Sequence, residues 1–163
     1  MRVFIYGSPG AGKTTLALLL SKKLDLPVHH LDGIFFHPGG TSRDFNIGAS
    51  EVAKLVQEEH WIIEGNHGVA LEIVAPNADR IVVLKIGRWR GLLRLIIRRL
   101  RTPTILSDKG PGGGQQILPM HLVRYALFIH PQLEPHHLAK IAGAASGDVC
   151  TFEKPEAALA WFK

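Results

Sequence analysis

A parallel α/β fold, one sheet with helices on both faces, is the architecture this sequence predicts, and three observations carry the prediction. Short runs of β-branched and aromatic residues alternate with longer stretches of helical periodicity. The first run, Arg2-Val-Phe-Ile-Tyr6, passes through a glycine-rich turn straight into a helical pattern. The 163 residues, 46% hydrophobic and 20% charged, suit a single compact domain with a full core rather than a disordered chain. Alternation of this kind is satisfied by right-handed crossovers between parallel strands.

The elements follow in order. Residues 2–6 read as a buried strand ended by Gly7. From Lys13 to Leu24 good helix formers carry Leu16, Leu19, Leu20 and Leu24 at helical spacing, and Asp25 and Pro27 stop the pattern. Strands are expected at 28–31, 61–64, 80–86 and 149–152, and helices at 48–59, 88–101 and 120–144. A last helix over 155–162 starts with proline, which tolerates the first turn because its missing N–H has no partner there. The glycine- and proline-rich stretches 37–48 and 102–119 read as irregular, the second being long for an ordinary connection.

The turn after the first strand is Gly7-Ser8-Pro9-Gly10-Ala11-Gly12-Lys13-Thr14, followed by Thr15. Gly, four residues, Gly, Lys, then Ser or Thr, between a strand and a helix, is the P-loop arrangement. Its glycines let backbone amides approach phosphate oxygens, and the helix N-terminus adds partial positive charge. Lys13 is then placed to reach the β- and γ-phosphates, and the Thr14 hydroxyl to ligate Mg²⁺, so residues 7–15 are expected to bind ATP or GTP.

In an open parallel sheet, functional groups collect beyond the carboxyl ends of the strands. Asp32 and Glu64 are expected there. Phosphoryl transfer uses one carboxylate to orient the acceptor and another to hold waters on Mg²⁺. Asp32 is assigned to the acceptor, and Glu64 to the metal shell through water or to a general base, the two roles being interchangeable on sequence alone. The competing readings are a turn cap for Asp32 and a structural ion pair for Glu64. Asn66 and His67 follow Gly65 and face the same crevice.

The net charge of +5 is uneven: residues 80–101 hold eight basic residues and no acid, leaving eleven basic against fourteen acidic residues elsewhere. Wound as a helix, Arg90, Arg94, Arg98 and Arg101 share one side, while Trp89, Leu92, Leu93, Ile96, Ile97 and Leu100 form an apolar stripe. Guanidinium groups bridge phosphates and neutralise developing charge, which gives Arg94 and Arg98 a catalytic reading beside that of a solvated basic face.

The nine histidines show neither HExxH nor a Cys/His zinc spacing, and the pairs His29-His30 and His136-His137 read as strand-end or surface residues. Cys150, the single cysteine, reads as a small buried hydrophobe. Leu122, Val123, Ala126, Leu127 and Phe128 suit either the core or a contact with a second copy. No apolar run approaches the roughly 20 residues of a bilayer span, and no leader precedes the first strand, so a cytoplasmic location is expected.

Together these residues resemble the adenylate-kinase-like P-loop small kinases, in particular the branch labelled DNA topology modulation protein, or FlaR-like. The matching pieces are Gly7 to Thr15, Leu31-Asp32 with Phe36-His-Pro-Gly39, Trp61-Ile-Ile-Glu-Gly-Asn66, Ala78-Asp79-Arg80, and Arg88-Trp-Arg90 with Arg94, Arg98 and Arg99. The resemblance covers about the first hundred residues. It implies a three-layer α/β P-loop NTPase with a five-stranded parallel sheet of the nucleoside-monophosphate-kinase type. It implies one kinase-like domain over 1–163, an acceptor-region insert at about 33–48, a lid-like segment at about 88–119, and adenine near residues 152–155.

The function expected is Mg²⁺-dependent transfer of a phosphoryl group from ATP to a nucleotide-like or other small acceptor. Two alternatives stand beside it: a nucleotide-binding regulatory ATPase that contacts nucleic acid through the arginine-rich helix, and a degenerate kinase that binds nucleotide without turnover.

Overall fold

The computed structural model describes residues 1–37, 41–101 and 120–162. Five strands, β1 (Arg2–Gly7), β2 (Val28–His30), β3 (Trp61–Glu64), β4 (Arg80–Leu84) and β5 (Asp148–Phe152), form one sheet in the order β2-β3-β1-β4-β5. Every pairing is parallel. The helices are α1 (Lys13–Leu24), α2 (Leu31–Phe35), α3 (Phe45–Leu55), α4 (Gly68–Val74), α5 (Arg88–Arg101), α6 (Met120–Arg124), α7 (His130–Ala144) and α8 (Pro155–Trp161).

Because side chains alternate along a strand, β1 feeds two cores. Val3 and Ile5 pack with Leu16 and Leu20 of α1, Ile62, Val82, Ala158 and Phe162. Phe4 and Tyr6 pack on the other face with Leu31, Phe35, Val52, Trp61, Leu71 and Ile141, under α2, α3, α4 and α7. The architecture is the three-layer α/β fold with a five-stranded parallel sheet. No helix of the described residues is long and apolar enough to cross a membrane.

Several boundaries differ from expectation. The strand expected at 28–31 ends at His30, and Leu31 begins the short helix α2. The helix expected at 48–59 runs over Phe45–Leu55, because the Asp44 carboxylate caps it by accepting from the amides of Asn46 and Ile47 at 2.8 and 3.2 Å. The irregular stretch 37–48 is therefore partly helical. Helix α4 follows β3 where no element is expected. Residues 38–40 and 102–119 of the two irregular stretches lie outside the described residues, as do the side chains of Arg99, Leu100 and Arg101.

The expected helix 120–144 is interrupted by a π-helical turn, Tyr125–Ile129, between α6 and α7. Pro131 is the physical reason: without an N–H it cannot donate to the carbonyl four residues earlier, and the His130 amide instead donates to Tyr125, five residues back. Ala126 and Leu127 in this turn are buried, so they serve the core, whereas Phe128 is exposed. Cys150 is only half-buried, because β5 is an edge strand.

Helix α5 docks differently from its periodicity. Trp89, Leu93 and Ile96 of the apolar stripe are exposed, and among the described side chains the buried positions are Gly91 and Leu95. A Cβ at Gly91 would lie 2.4 Å from the Pro9 carbonyl oxygen, and one at Gly10 would lie 2.3 Å from that of Gly91. The helix thus meets the turn after β1 backbone to backbone, a contact only glycine permits.

Candidate functional site

Residues 7–14 wrap the end of β1 at the centre of the sheet. Gly10 and Gly12 take φ of 75° and 95°, which only glycine adopts without strain, and they turn the loop into α1. The Ser8 amide donates to Leu84 of the neighbouring strand at 3.0 Å, and the Ala11 amide to Ser8 at 3.1 Å. The Gly7 amide donates to the Asn66 side-chain oxygen at 3.3 Å, tying the loop to the end of β3.

The Lys13 ammonium folds back over this loop and donates to the carbonyl oxygens of Gly7 and Ser8 at 2.8 and 3.3 Å. Burial holds its pKa below the usual lysine range, and the Arg98 guanidinium pushes the same way, against the pull of Glu64 and Asp32. Arg98 of α5 therefore bears on Lys13. Arg94, one turn earlier, is exposed and makes no hydrogen bond or ion pair with a described residue.

Glu64 is buried at the end of β3. Its Oε1 accepts from the Thr14 hydroxyl at 3.0 Å and lies 2.7 Å from His30 Nδ1. Burial raises its pKa, but the His30 hydrogen bond, the Lys13 and His30 charges and the Thr14 hydroxyl outweigh that and keep the carboxylate ionised. The same hydrogen bond holds His30 above the usual imidazole range. His30 is at a strand end as expected, and its partnership with Glu64 is the part the sequence hid.

Asp32 sits in the first turn of α2, an exposed residue that feels the charges of Glu64, Lys13, His67 and His30. The N-cap of that helix is His30, and no side chain caps it, so Asp32 is not a cap. Lost hydration within the crevice, then the Glu64 charge, pushes its carboxyl above the usual range. Next to it His67 stacks flat on Phe35, ring centroids 3.6 Å apart, and burial lowers its pKa. The structure thus brings together Lys13, Thr14, Asp32, Glu64 and, electrostatically, Arg98.

Thr14 and Glu64 offer two hard oxygens side by side, next to the Lys13 ammonium, a donor set that fits Mg²⁺ with water completing its shell.

Behind the loop lies a second polar group that sequence reasoning missed. His137, expected at the surface, is buried with its Nδ1 3.1 Å from the Tyr6 hydroxyl, a partner distant in sequence. His130 is 2% exposed, stacked on Tyr6 and edge-on to Tyr125. Burial, then the charges of Lys13 and His137, push its pKa down to about 4. Below about pH 6.5 the unfolded chain binds this proton first, so stability should fall as pH drops from 6.5 toward 4, by about 3 kcal/mol from this group. Urea unfolding at pH 7 and 4.5 checks this: His130→Asn should show a correspondingly shallower pH dependence, and equal slopes would contradict it.

Of the basic residues expected to form one patch, Arg80 is taken up structurally. Its guanidinium lies over the rings of Trp161 and Phe162, 4.9 and 5.2 Å from their centroids, and donates to the Trp161 carbonyl. Lys85, Arg88, Arg90, Arg94 and Arg98 are exposed.

The loop, the sheet order and the strand-end carboxylates define a chain with the P-loop small-kinase fold. Among solved structures it is similar to the shikimate kinase of Bacteroides thetaiotaomicron, with TM-score 0.63 and 19% identity over 99% of this chain and 96% of that one. The shikimate kinase of Acinetobacter baumannii, in complex with shikimate, gives TM-score 0.54 and 16% identity over 98% and 88%. An uncharacterized protein from Eubacterium ventriosum gives 0.52 and 14% over 99% and 96%. At these identities the likeness establishes the fold. No family model and no curated protein matches the sequence.

Proposed function

We propose that the protein is a small-molecule kinase that transfers the γ-phosphoryl group of ATP to a hydroxyl or phosphate acceptor. The observation that carries this reading is the convergence of Lys13, Thr14 and Glu64 on one P-loop with Asp32 across the crevice. The likeness in fold to shikimate kinases, which phosphorylate a small molecule, supports it. The quoted motifs further suggest the topology-modulation branch of the small kinases.

Loop amides and the Lys13 ammonium would hold the β- and γ-phosphates once the nucleotide replaces the lysine's carbonyl partners. Mg²⁺, held by Thr14 and through water by Glu64, would supply charge neutralisation at the phosphate oxygens. Asp32 would orient the acceptor and take its hydroxyl proton, a role its raised pKa suits because proton affinity nearer neutrality makes a stronger base. The acceptor oxygen forms the new bond to phosphorus, the bond to the bridging oxygen breaks, and ADP leaves with that electron pair. Arg98 would offset charge building on the transferred group.

The test is a thermal-shift screen of nucleoside monophosphates, nucleosides and small hydroxylated metabolites with ATP–Mg²⁺, followed by ADP-release assays on the hits. Acceptor-dependent ADP formation is expected. ADP release at one rate whatever acceptor is added would count against the reading.

The exposed arginines of α5 favour a second reading, a nucleotide-binding regulator that contacts nucleic acid. Such binding should weaken steeply with salt, each neutralised phosphate adding about −0.9 to the slope of log affinity against log salt for duplex DNA. Fluorescence anisotropy with a labelled duplex, from low to physiological salt, separates the two: no binding at low salt removes the regulator.

A further inference from the structure

A cavity of about 270 Å³ opens beside the P-loop, walled by Ser8 and Pro9, by Arg88 at the start of α5, and by His130, Pro131 and Glu134 of α7. Two atoms in this wall are unmatched. His130 Nε2 and Glu134 Oε1, one helical turn apart, are both shut off from solvent, and neither has a hydrogen-bond partner. Glu134 also makes no ion pair with a described residue. Buried polar atoms left unmatched are unfavourable, and native structures rarely keep two together without a ligand or water.

The chemistry of the missing partner can be read from the pair. A carboxylate oxygen only accepts, and His130 Nε2 accepts in the tautomer that carries the ring proton on Nδ1. A single hydroxyl donates once and can satisfy one of them, and a water can satisfy both but brings no charge. An ammonium group donates three times, reaches both, and brings the positive charge that Glu134 lacks. Pro9, Ile86, Ala126 and Pro131 offer apolar surface to a carbon skeleton.

The cavity also has the right place. Lys13 Nζ, the group that reaches the phosphates, rests on the Ser8 carbonyl, so the Ser8–Pro9 wall adjoins the position of the γ-phosphoryl group. Tyr125 is edge-on to His130, hydrogen-bonds Asn66 and feels the Asp32 charge, which links the cavity wall to the neighbourhood of Asp32.

We propose that this cavity is the acceptor subsite and takes a small hydroxylated amine of about monosaccharide size, its ammonium group held by His130 and Glu134. The proposal rests on the kinase reading above for the word acceptor, and on the cavity itself for the amine.

The experiment is calorimetric titration with matched pairs, glucosamine against glucose and ethanolamine against ethylene glycol, with and without a non-hydrolysable ATP analogue and Mg²⁺. The amines should bind at least about tenfold more tightly than their deamino partners, and Glu134→Gln should remove that preference. Equal affinity within each pair, no binding of any probe, or a preference that survives Glu134→Gln would overturn the proposal. Should Glu134→Gln fail to fold by its melting curve, the matched pairs on the unaltered protein still decide. Amine binding with no transfer to any acceptor in the ADP-release assay with ATP–Mg²⁺ would sink the kinase reading and leave the subsite standing. Transfer to an acceptor without an amine, with no amine preference, would do the reverse.

Discussion

Lys13→Ala is expected to lower phosphoryl transfer by about a hundred- to a thousandfold, the range seen when one preorganised donor to developing charge is removed. The ammonium already lies over the Gly7 and Ser8 carbonyls, so no rearrangement of α1 is needed for it to meet a phosphate. Burial of this lysine disfavours its charge, and Glu64 and Asp32 restore part of it. An anionic ligand would restore more, so ATP binding should raise the lysine pKa. Folding should survive the substitution, because the loop is held by the Ser8, Ala11 and Gly7 amides rather than by the lysine. Transfer rates measured beside a melting curve check both halves: an unchanged rate would remove Lys13 from the mechanism.

Gly91→Ala is expected to have the next largest effect, although residue 91 touches neither phosphate nor acceptor. The added Cβ would stand 2.4 Å from the Pro9 carbonyl, and the obstacle is backbone on both sides, so α5 must move away. Overpacking of this kind costs about 1–3 kcal/mol. For a domain of this size that lowers Tm by roughly 2–12 °C. The larger consequence is for Arg98, which bears on Lys13 only while α5 stays seated. Displacing a catalytic group by about 1 Å can cost a hundredfold in rate. Transfer should therefore fall by about that factor in protein that is still folded at the assay temperature. Gly87→Ala is the control, since a Cβ there meets nothing within 4 Å. Equal losses in both variants would refute the seating argument.

What the sequence made legible was local. The strand, the glycine turn and α1 are contiguous and carry their chemistry in residue type, so Gly7, Gly10, Gly12, Lys13 and Thr14 could be read directly. Asp32 and Glu64 were legible because parallel strands deliver their ends to one edge of the sheet, and the structure places both there. Helices α2 and α4 were not legible. Each is a turn or two long, α2 contains Gly33, and α4 is rich in β-branched residues, so tertiary burial rather than propensity forms them.

Periodicity also misjudged α5. It weighs side chains, whereas the helix is seated by the absence of one at Gly91, which leaves Trp89 and Leu93 exposed. The buried histidines escaped for a different reason. His137 depends on Tyr6 at the far end of the chain, and no local pattern encodes that partnership. Pro131 and Pro135 were the visible signs of irregularity there, and Pro131 accounts for the π-helical turn that precedes His130.

Phosphorus NMR of the protein with ATP, Mg²⁺ and the candidate acceptors tests the central claim most directly, because it follows the γ-phosphoryl group itself. Loss of the γ resonance with the growth of a phosphomonoester or new phosphoanhydride signal, dependent on acceptor and on Lys13, is the predicted result. A γ resonance that persists across hydroxylated amines, nucleosides and nucleoside monophosphates alike, or that passes only to inorganic phosphate, would contradict it.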